Sequence, residues 1–447
     1  MSAATQPLPA AAAQPDARRG TRVVAYVAAT LIVLATALIF EAASWGHEAV
    51  VPEQPRIAGW IGGFTGKLSY PVFLISLLVF TLAYGVISWL ALRVPRRSLS
   101  PRAVIWLLVV LYTIVLLGPV IISTDLFSYV AYARMGAIHG INPYAFGPHA
   151  IWYDHIYHFV GKDWIYSPTA YGPIYTLLTY PFAFLGIDGT IWSMKLMALA
   201  STAGILWLTW RIAERRGFDG AAAALVIGAN PLYLLYGAGG AHNDLLMMFL
   251  MMGAVALVVA PRVTAAREAT AGAALVAGAL IKVTAGAVLP FMVLSRRKWP
   301  AVLGALAMAL VGTAVADVVF GVKGVDIFAA LSRDSSFVST DSFANEFAHL
   351  IGKPGVFPVD HDLLKGVLVV VLIYLVWRTW RGYEWIAASG WALLAISVTT
   401  TWLLAWYILW PLPLALVSKD RRLLAAVLVV QLVYVIHQFS PLLVPVE

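Results

Sequence analysis

The sequence predicts an all-α polytopic membrane protein, and three observations carry the prediction. Of 447 residues, 61% are hydrophobic and only 12% charged, with a mean hydropathy of +0.84; a soluble domain cannot hide that much apolar surface. Apolar runs long enough to cross a hydrocarbon core of ~30 Å recur along the whole chain. Lys and Arg gather in alternate gaps between those runs, as they do in cytoplasmic loops.

About eleven full spans are expected at this thickness, beginning near Val23, Tyr70, Ala103, Ile191, Ala221, Leu245, Ala301, Gly366, Trp385, Leu403 and Leu423. Two further apolar stretches, Pro173 to Leu185 and Ala269 to Leu294, read as broken or re-entrant helices. Of 30 Lys and Arg, 20 fall in seven clusters, from Arg18–Arg22 and Arg93–Arg102 to Arg378–Arg381 and Lys419–Arg422. With the N-terminus inside and the C-terminus outside, all seven lie on the cytoplasmic side. The same topology keeps only Asp16, Glu214, Asp219, Glu268, Glu384 and Asp420 inside and leaves the other 16 of 22 acidic residues outside. The formal net charge of +8 is therefore a topology signal and not a nucleic-acid one. Cys is absent, which excludes disulfides, thiolate metal sites and a cysteine nucleophile.

The Ala- and Pro-rich head places residues 1–20 in a disordered cytoplasmic tail. No cleavable leader is expected, because Val23 to Phe40 is long and lacks a small-residue cleavage site. Residues 21–447 read as one transmembrane domain with two long outer loops, 123–172 and 321–365. Loops of that length are usually functional or disordered. The first is dense in Tyr, Trp, Phe and His, which argues for order. Its opening, Asp125 to Ile138, has helical spacing, so a helix at the membrane surface is expected.

Candidate chemistry concentrates in three places. Asp125 emerges where the third span ends, and Tyr129 and Tyr132 follow four and seven residues later, on the same helical face. A carboxylate beside aromatic rings suits a sugar, although an Asp here also serves as a helix cap. Tyr171-Gly172-Pro173 closes the loop and suits a helix start. Gly239-Gly240-Ala241-His242-Asn243-Asp244 puts three polar side chains at an apolar boundary, more than capping requires. His242 and Asp244 could supply ligands to a divalent metal, but their spacing is diagnostic of none. In the second loop Arg333, Asp334, Asp341, Asn345, Glu346 and His349 fit a solvated surface or a substrate flap equally well. Lys282 falls midway through the broken stretch, where a cation requires a partner or a polar cavity. The 17 Trp residues read as interfacial belts, and none is given a role.

Ser123-Thr124-Asp125-Leu126-Phe127-Ser128-Tyr129, followed by Tyr132, Arg134, His139-Gly140 and Asn142-Pro143-Tyr144, resembles the polyprenol-phosphomannose-dependent alpha-1,6-mannosyltransferases of actinobacterial cell envelopes. Tyr171-Gly172-Pro173, Asn230-Pro231-Leu232, the Gly239–Asp244 run and Lys282 match in the same order, so the resemblance covers roughly residues 123–290. It implies a GT-C-type transmembrane helix bundle in the plasma membrane, with its active site on the extracytoplasmic side. It also implies a polyprenyl phosphomannose donor and a catalytic acid in the first outer loop, where Asp125 is the matching position.

The expected reaction is a single inverting displacement, with Asp125 as the base for an acceptor hydroxyl and cations beside the departing phosphate. Arg134, Lys282 and His242 are the candidates for that phosphate. Tyr129, Tyr132, His139, Asn142, Tyr144, Tyr171, Asn243 and Asp244 are the candidates for the sugars. Inversion of a beta-linked donor gives an alpha-mannoside, with a mannoside or glycolipid as acceptor. No resident cofactor is implied beyond the divalent metal left open above. Arabinose or glucose on the same carrier remain alternatives, and a lipid or glycolipid transporter is the reading from another class.

Overall fold

The computed structural model describes residues 15–43, 70–93, 99–295, 299–321 and 337–439. Among them every regular element is helical. The chain begins with α1 (Pro15–Ala43), α2 (Tyr70–Arg93) and α3 (Pro101–Leu117), then α4 (Asp125–Ala137) after a turn. Next come α5 (Pro173–Ala183), α6 (Gly186–Arg215) and α7 (Gly220–Gly228), the last continued by a wide π turn over Tyr233–Gly239. They are followed by α8 (Asp244–Val258), α9 (Ala265–Ala279), the short α10 (Leu289–Leu294) and α11 (Trp299–Phe320). The remainder comprises α12 (Phe343–Leu350), α13 (Pro358–Trp380), α14 (Trp385–Thr399), α15 (Pro411–Val417) and α16 (Arg421–His437).

Every apolar run read from the sequence coincides with a helix, but fewer are full spans than expected. Among the described residues four helices, α1, α2, α6 and α11, are long and apolar enough to cross a membrane. A fifth candidate is α7 with its π turn, bent by 69° at the Asn230–Leu232 break. The runs near Ala103, Leu245 and Trp385 form helices of 17, 15 and 15 residues. The run near Leu403 breaks into a 3-10 turn, Ala405–Leu409, before α15, and Ala269–Leu294 breaks at Lys282. Pro411 and Pro290, each without an N–H, stand at the starts of the resumed helices, where that loss is harmless. The expected tail is helical from Pro15 onward; residues 1–14, Arg333 and Asp334 lie outside the described residues.

Helices pack closely where side chains are small. A Cβ on Gly272 of α9 would run into the Ala301 carbonyl of α11, and one on Gly304 would run into that of Ala269, so two glycines set this approach. The opposite face of α11 presents Leu303, Leu306 and Leu310 outward. Within α6, Thr190, Ser193 and Ser201 donate to the carbonyls four residues back, which satisfies hydroxyls in apolar surroundings. Basic helix ends gather at one end of the bundle, where Arg216 pairs with Glu384 and Asp219 and Asp420 cap α7 and α16. The links 118–125, 138–172, 239–244 and 280–288 gather at the other end.

Candidate active site

Two unusual backbone turns build the site. Among the described residues only Ile122 (φ 74°) and Ala241 (φ 51°) combine a side chain with the left-handed conformation. For β-branched Ile122 this is strained. Ile122 delivers the chain into α4 and Asp125; Ala241 delivers it into His242, Asn243 and α8. A backbone bond from Ile121 N–H to the Gly239 carbonyl, 3.2 Å, ties the two turns together. Lys195 of α6 steadies the first from below: its buried Nζ donates to the carbonyls of Leu116 (2.7 Å) and Gly118 (2.6 Å) at the end of α3, where a cation also suits the helix dipole. Gly172 N–H and Ile174 N–H donate to Ile281 and Leu280 at 3.0 and 3.1 Å, which sets Tyr171 beside the Lys282 break.

Asp125 is 16% exposed, and its Oδ2 lies 3.7 Å from Nδ1 of the fully buried His242. The Tyr129 hydroxyl reaches His242 Nδ1 and Asn243 Oδ1, both at 3.5 Å, the long limit of a hydrogen bond. Tyr171 and Tyr175 meet Tyr129 edge-on, at 4.7 and 5.1 Å between centroids. Burial pushes the Asp125 carboxyl up to about 6, with Asp244 raising it further and Lys282, Tyr171 and Ser123 opposing. Burial and the nearby Lys282 hold the His242 imidazole well below its usual range, so it sits neutral beside the acid.

Asp244, at the start of α8, is held far more tightly. Lys282 Nζ lies 2.9 Å from its Oδ1 and 3.0 Å from its Oδ2, and Trp410 Nε1 donates to Oδ1 at 2.7 Å. The Lys282 ammonium also lies over the Tyr407 ring at 4.3 Å. Trp406 stacks on His242 with centroids 3.6 Å apart. These aromatic residues correct the expectation that Trp marks only interfaces. Their signal was the spacing of Trp402, Trp406 and Trp410, four residues apart. Asn243 Nδ2, Tyr175 Oη and Thr284 Oγ1 are buried without a hydrogen-bond partner among the described residues, which leaves polar atoms around the acid for a polar ligand.

Other expected site residues are engaged elsewhere. Arg134 donates through Nε and Nη2 to Asp154, at 2.9 and 2.8 Å, and His139 Nε2 meets the same carboxylate at 2.7 Å. Burial alone would raise the Asp154 carboxyl, but hydrogen bonds from Arg134, His139 and the Ile156 N–H outweigh it and hold it low. Asp154 carries no signal in the sequence, because a lone Asp among aromatic residues has no pattern. Tyr132 donates to the Ser167 carbonyl (2.8 Å) and Tyr144 to that of Tyr171 (2.7 Å). Asn142 Nδ2 donates to the Phe320 carbonyl at 2.9 Å. Arg134, Tyr132, His139, Asn142 and Tyr144 thus use these polar atoms to fold the first loop. Among the described residues no group of three or more His, Cys, Asp or Glu could hold a metal ion; both Asp244 oxygens already accept from Lys282 or Trp410.

A family model described as alpha-(1->6)-mannopyranosyltransferase, N-terminal domain, matches residues 30–298. The chain belongs to this family. It is accordingly a glycosyltransferase. It is 29% identical to alpha-(1->6)-mannopyranosyltransferase A of Mycobacterium tuberculosis over 401 residues, 81% of this chain and 75% of that protein. The protein of the same name from Corynebacterium glutamicum is 30% identical over 175 residues, 38% of this chain and 34% of its own length. Alpha-(1->6)-mannopyranosyltransferase B of that organism is 28% identical over 145 residues, 31% of this chain and 24% of its own. No solved structure matches significantly. Asp125, Asp244 and Lys282 all fall inside the family match, whereas Trp406, Tyr407 and Trp410 lie beyond it.

Proposed function

We propose that this protein transfers a mannosyl residue from polyprenyl phosphomannose to a mannoside or glycolipid acceptor, forming an alpha-1,6 linkage with inversion on the extracytoplasmic side of the plasma membrane. The observation that carries the reading is Asp125: a partly accessible carboxyl, raised to about 6 by burial, facing a neutral His242. A base of that strength is ionised at neutral pH yet basic enough to take a proton as the hydroxyl attacks. Family membership supports mannosyl transfer, and the basic helix ends opposite the site support an outward-facing one.

Asp125 takes the acceptor hydroxyl proton while the acceptor oxygen bonds to the anomeric carbon. The bond from that carbon to the phosphate oxygen breaks, and its electron pair leaves on polyprenyl phosphate. Lys282, poised between Asp244 and the Tyr407 ring, is the cation nearest this chemistry and offsets the growing charge. Tyr129, Tyr171, Tyr175 and Asn243 line the sugar site. Arg134 acts one step removed, holding the loop through Asp154. The test is mannosyl transfer by purified protein from polyprenyl phosphomannose to an alpha-mannoside, with product linkage read by NMR. Wild-type transfer abolished by Asp125→Asn supports the reading; transfer that survives the substitution moves the base elsewhere. A panel of polyprenyl-phosphate arabinose and glucose donors tests the choice of sugar.

A further inference from the structure

A cavity opens at the end of the bundle away from Asp125, between α2, the Asn230–Leu232 break and α16. It holds about 630 Å³. Its floor is polar, and among Tyr84, Ser88, Asn230 and Gln431 all but the Ser88 hydroxyl are paired within the protein. Asn230 Nδ2 donates to Tyr84 Oη (3.0 Å) and Gln431 Oε1 (2.9 Å), Tyr84 donates to the Val226 carbonyl, and Gln431 donates to that of Ile408. The walls are mostly carbon, from Leu92, Leu424, Leu428 and Leu432. Two arginines stand at the mouth, Arg93 at the last residue of α2 and Arg421 at the first of α16, and both are exposed. The Arg421 guanidinium lies 5.2 Å over the Phe218 ring, which orients it.

The dimensions and charges select an occupant. From Thr81 to Arg93 the wall of α2 rises roughly 18 Å at helical pitch, which is close to the ~15 Å of hydrocarbon in one leaflet. A trough of that length, dry along its sides and doubly cationic at the mouth, complements an acyl chain joined to a phosphate. A soluble anion has no use for the trough, and a zwitterionic lipid gains less from the paired arginines. We propose that this groove is a binding site for an anionic phospholipid, its phosphate on Arg93 and Arg421 and one acyl chain lying along Gly85 and Leu428. The site is separate from the one around Asp125.

Gly85 makes the test clean. A Cβ there meets nothing within 4 Å, so Gly85→Leu adds a side chain at the trough wall from an unobstructed position and removes a helix-interior glycine. Full-length protein in neutral detergent is titrated with phosphatidylglycerol or phosphatidylcholine, and bound lipid is counted by native mass spectrometry alongside melting curves. Wild type is expected to retain one phosphatidylglycerol at least about tenfold more tightly than phosphatidylcholine, matching more than 1.4 kcal/mol. The double variant Arg93→Gln/Arg421→Gln loses that preference. Gly85→Leu loses the retained lipid while keeping a cooperative melt and a monodisperse elution profile. Equal retention of the two lipids by wild type overturns the proposal. So do stabilisation by inorganic phosphate alone that matches phosphatidylglycerol, and unaltered lipid retention in both variants.

Discussion

The first outer loop holds two carboxylates in opposite environments, Asp125 at the start of α4 and Asp154 at the start of a 3-10 turn over His155–Phe159. Asp154 is gripped by Arg134 and His139 at 2.7–3.1 Å and is held below the usual carboxylate range. Asp125, opening the same helix that carries Arg134, has a neutral imidazole at 3.7 Å and long contacts around it, and is raised to about 6. Asp154 accepts from charged partners that fold the loop, whereas the side-chain hydrogen bonds to Asp125, from Tyr171 and Ser123, are neutral. Environments that drive two carboxyls apart in this way are how a fold assigns roles to chemically identical groups.

The strongest break of the contrast is Asp125→Asn. Mannosyl transfer should fall by about 10²–10⁴-fold, the usual worth of a general base, as read by product formation at saturating donor. The same substitution should stabilise the fold. An Asp whose folded value is raised from 3.8 to about 6 loses stability as pH rises through that window, and the neutral amide avoids the loss. The gain, up to about 3 kcal/mol at neutral pH, would appear as a higher melting temperature.

Breaking the other buried acid should do the reverse. Asp244→Leu leaves Lys282 buried without its carboxylate and should cost about 3–5 kcal/mol, whereas Asp244→Leu combined with Lys282→Met should recover most of the melting temperature. Asp154→Asn should cost less, about 1.5–3 kcal/mol for hydrogen bonds to charged groups. Because the Asp154 carboxyl is held low, its contribution is present above the ordinary carboxylate range and fades as pH falls. Acid melting curves of wild type and variant should therefore converge below about pH 4.

The pH–rate profile sharpens the comparison without any substitution. With Asp125 as the base, kcat/KM should fall tenfold per unit below a midpoint near 6. A midpoint near 4 would assign the proton transfer to an acid in an ordinary setting. Smallest of all, Arg134→Lys removes the two-pronged grip on Asp154 but keeps the charge. Transfer should fall less than about tenfold, with no change in the pH midpoint, since Arg134 acts through the loop and not on the reacting atoms.

What the sequence makes legible follows from how far apart the cooperating residues lie. Apolar runs are local, and each one found is a helix. Asp125 and Tyr129 share a helical turn, and His242, Asn243 and Asp244 are consecutive, so both groups can be seen before folding. Lys282 stands out because a cation is conspicuous in an apolar run. The Asp154 clamp spans 20 residues of irregular loop, and the Trp410–Asp244 bond spans 166; no periodicity links such partners. Full spans are harder to read than helices for a related reason. The Lys282 break is legible because a cation interrupts the run, but hydropathy does not show the one at Asn230, where the chain bends by 69° and leaves the helix.

The Trp410 bond to Asp244 also bears on the order of assembly. A ribosome feeding this chain into a bilayer releases Asp244 and Lys282 close together, so the two charges can neutralise each other as they enter. Trp406, Tyr407 and Trp410 arrive more than a hundred residues later, and only then can the indole N–H and the ring stacked on His242 close around the acid. A nascent chain halted before Trp406 would therefore be inserted and charge-paired, with Asp244 still lacking its indole partner and His242 its stacked ring.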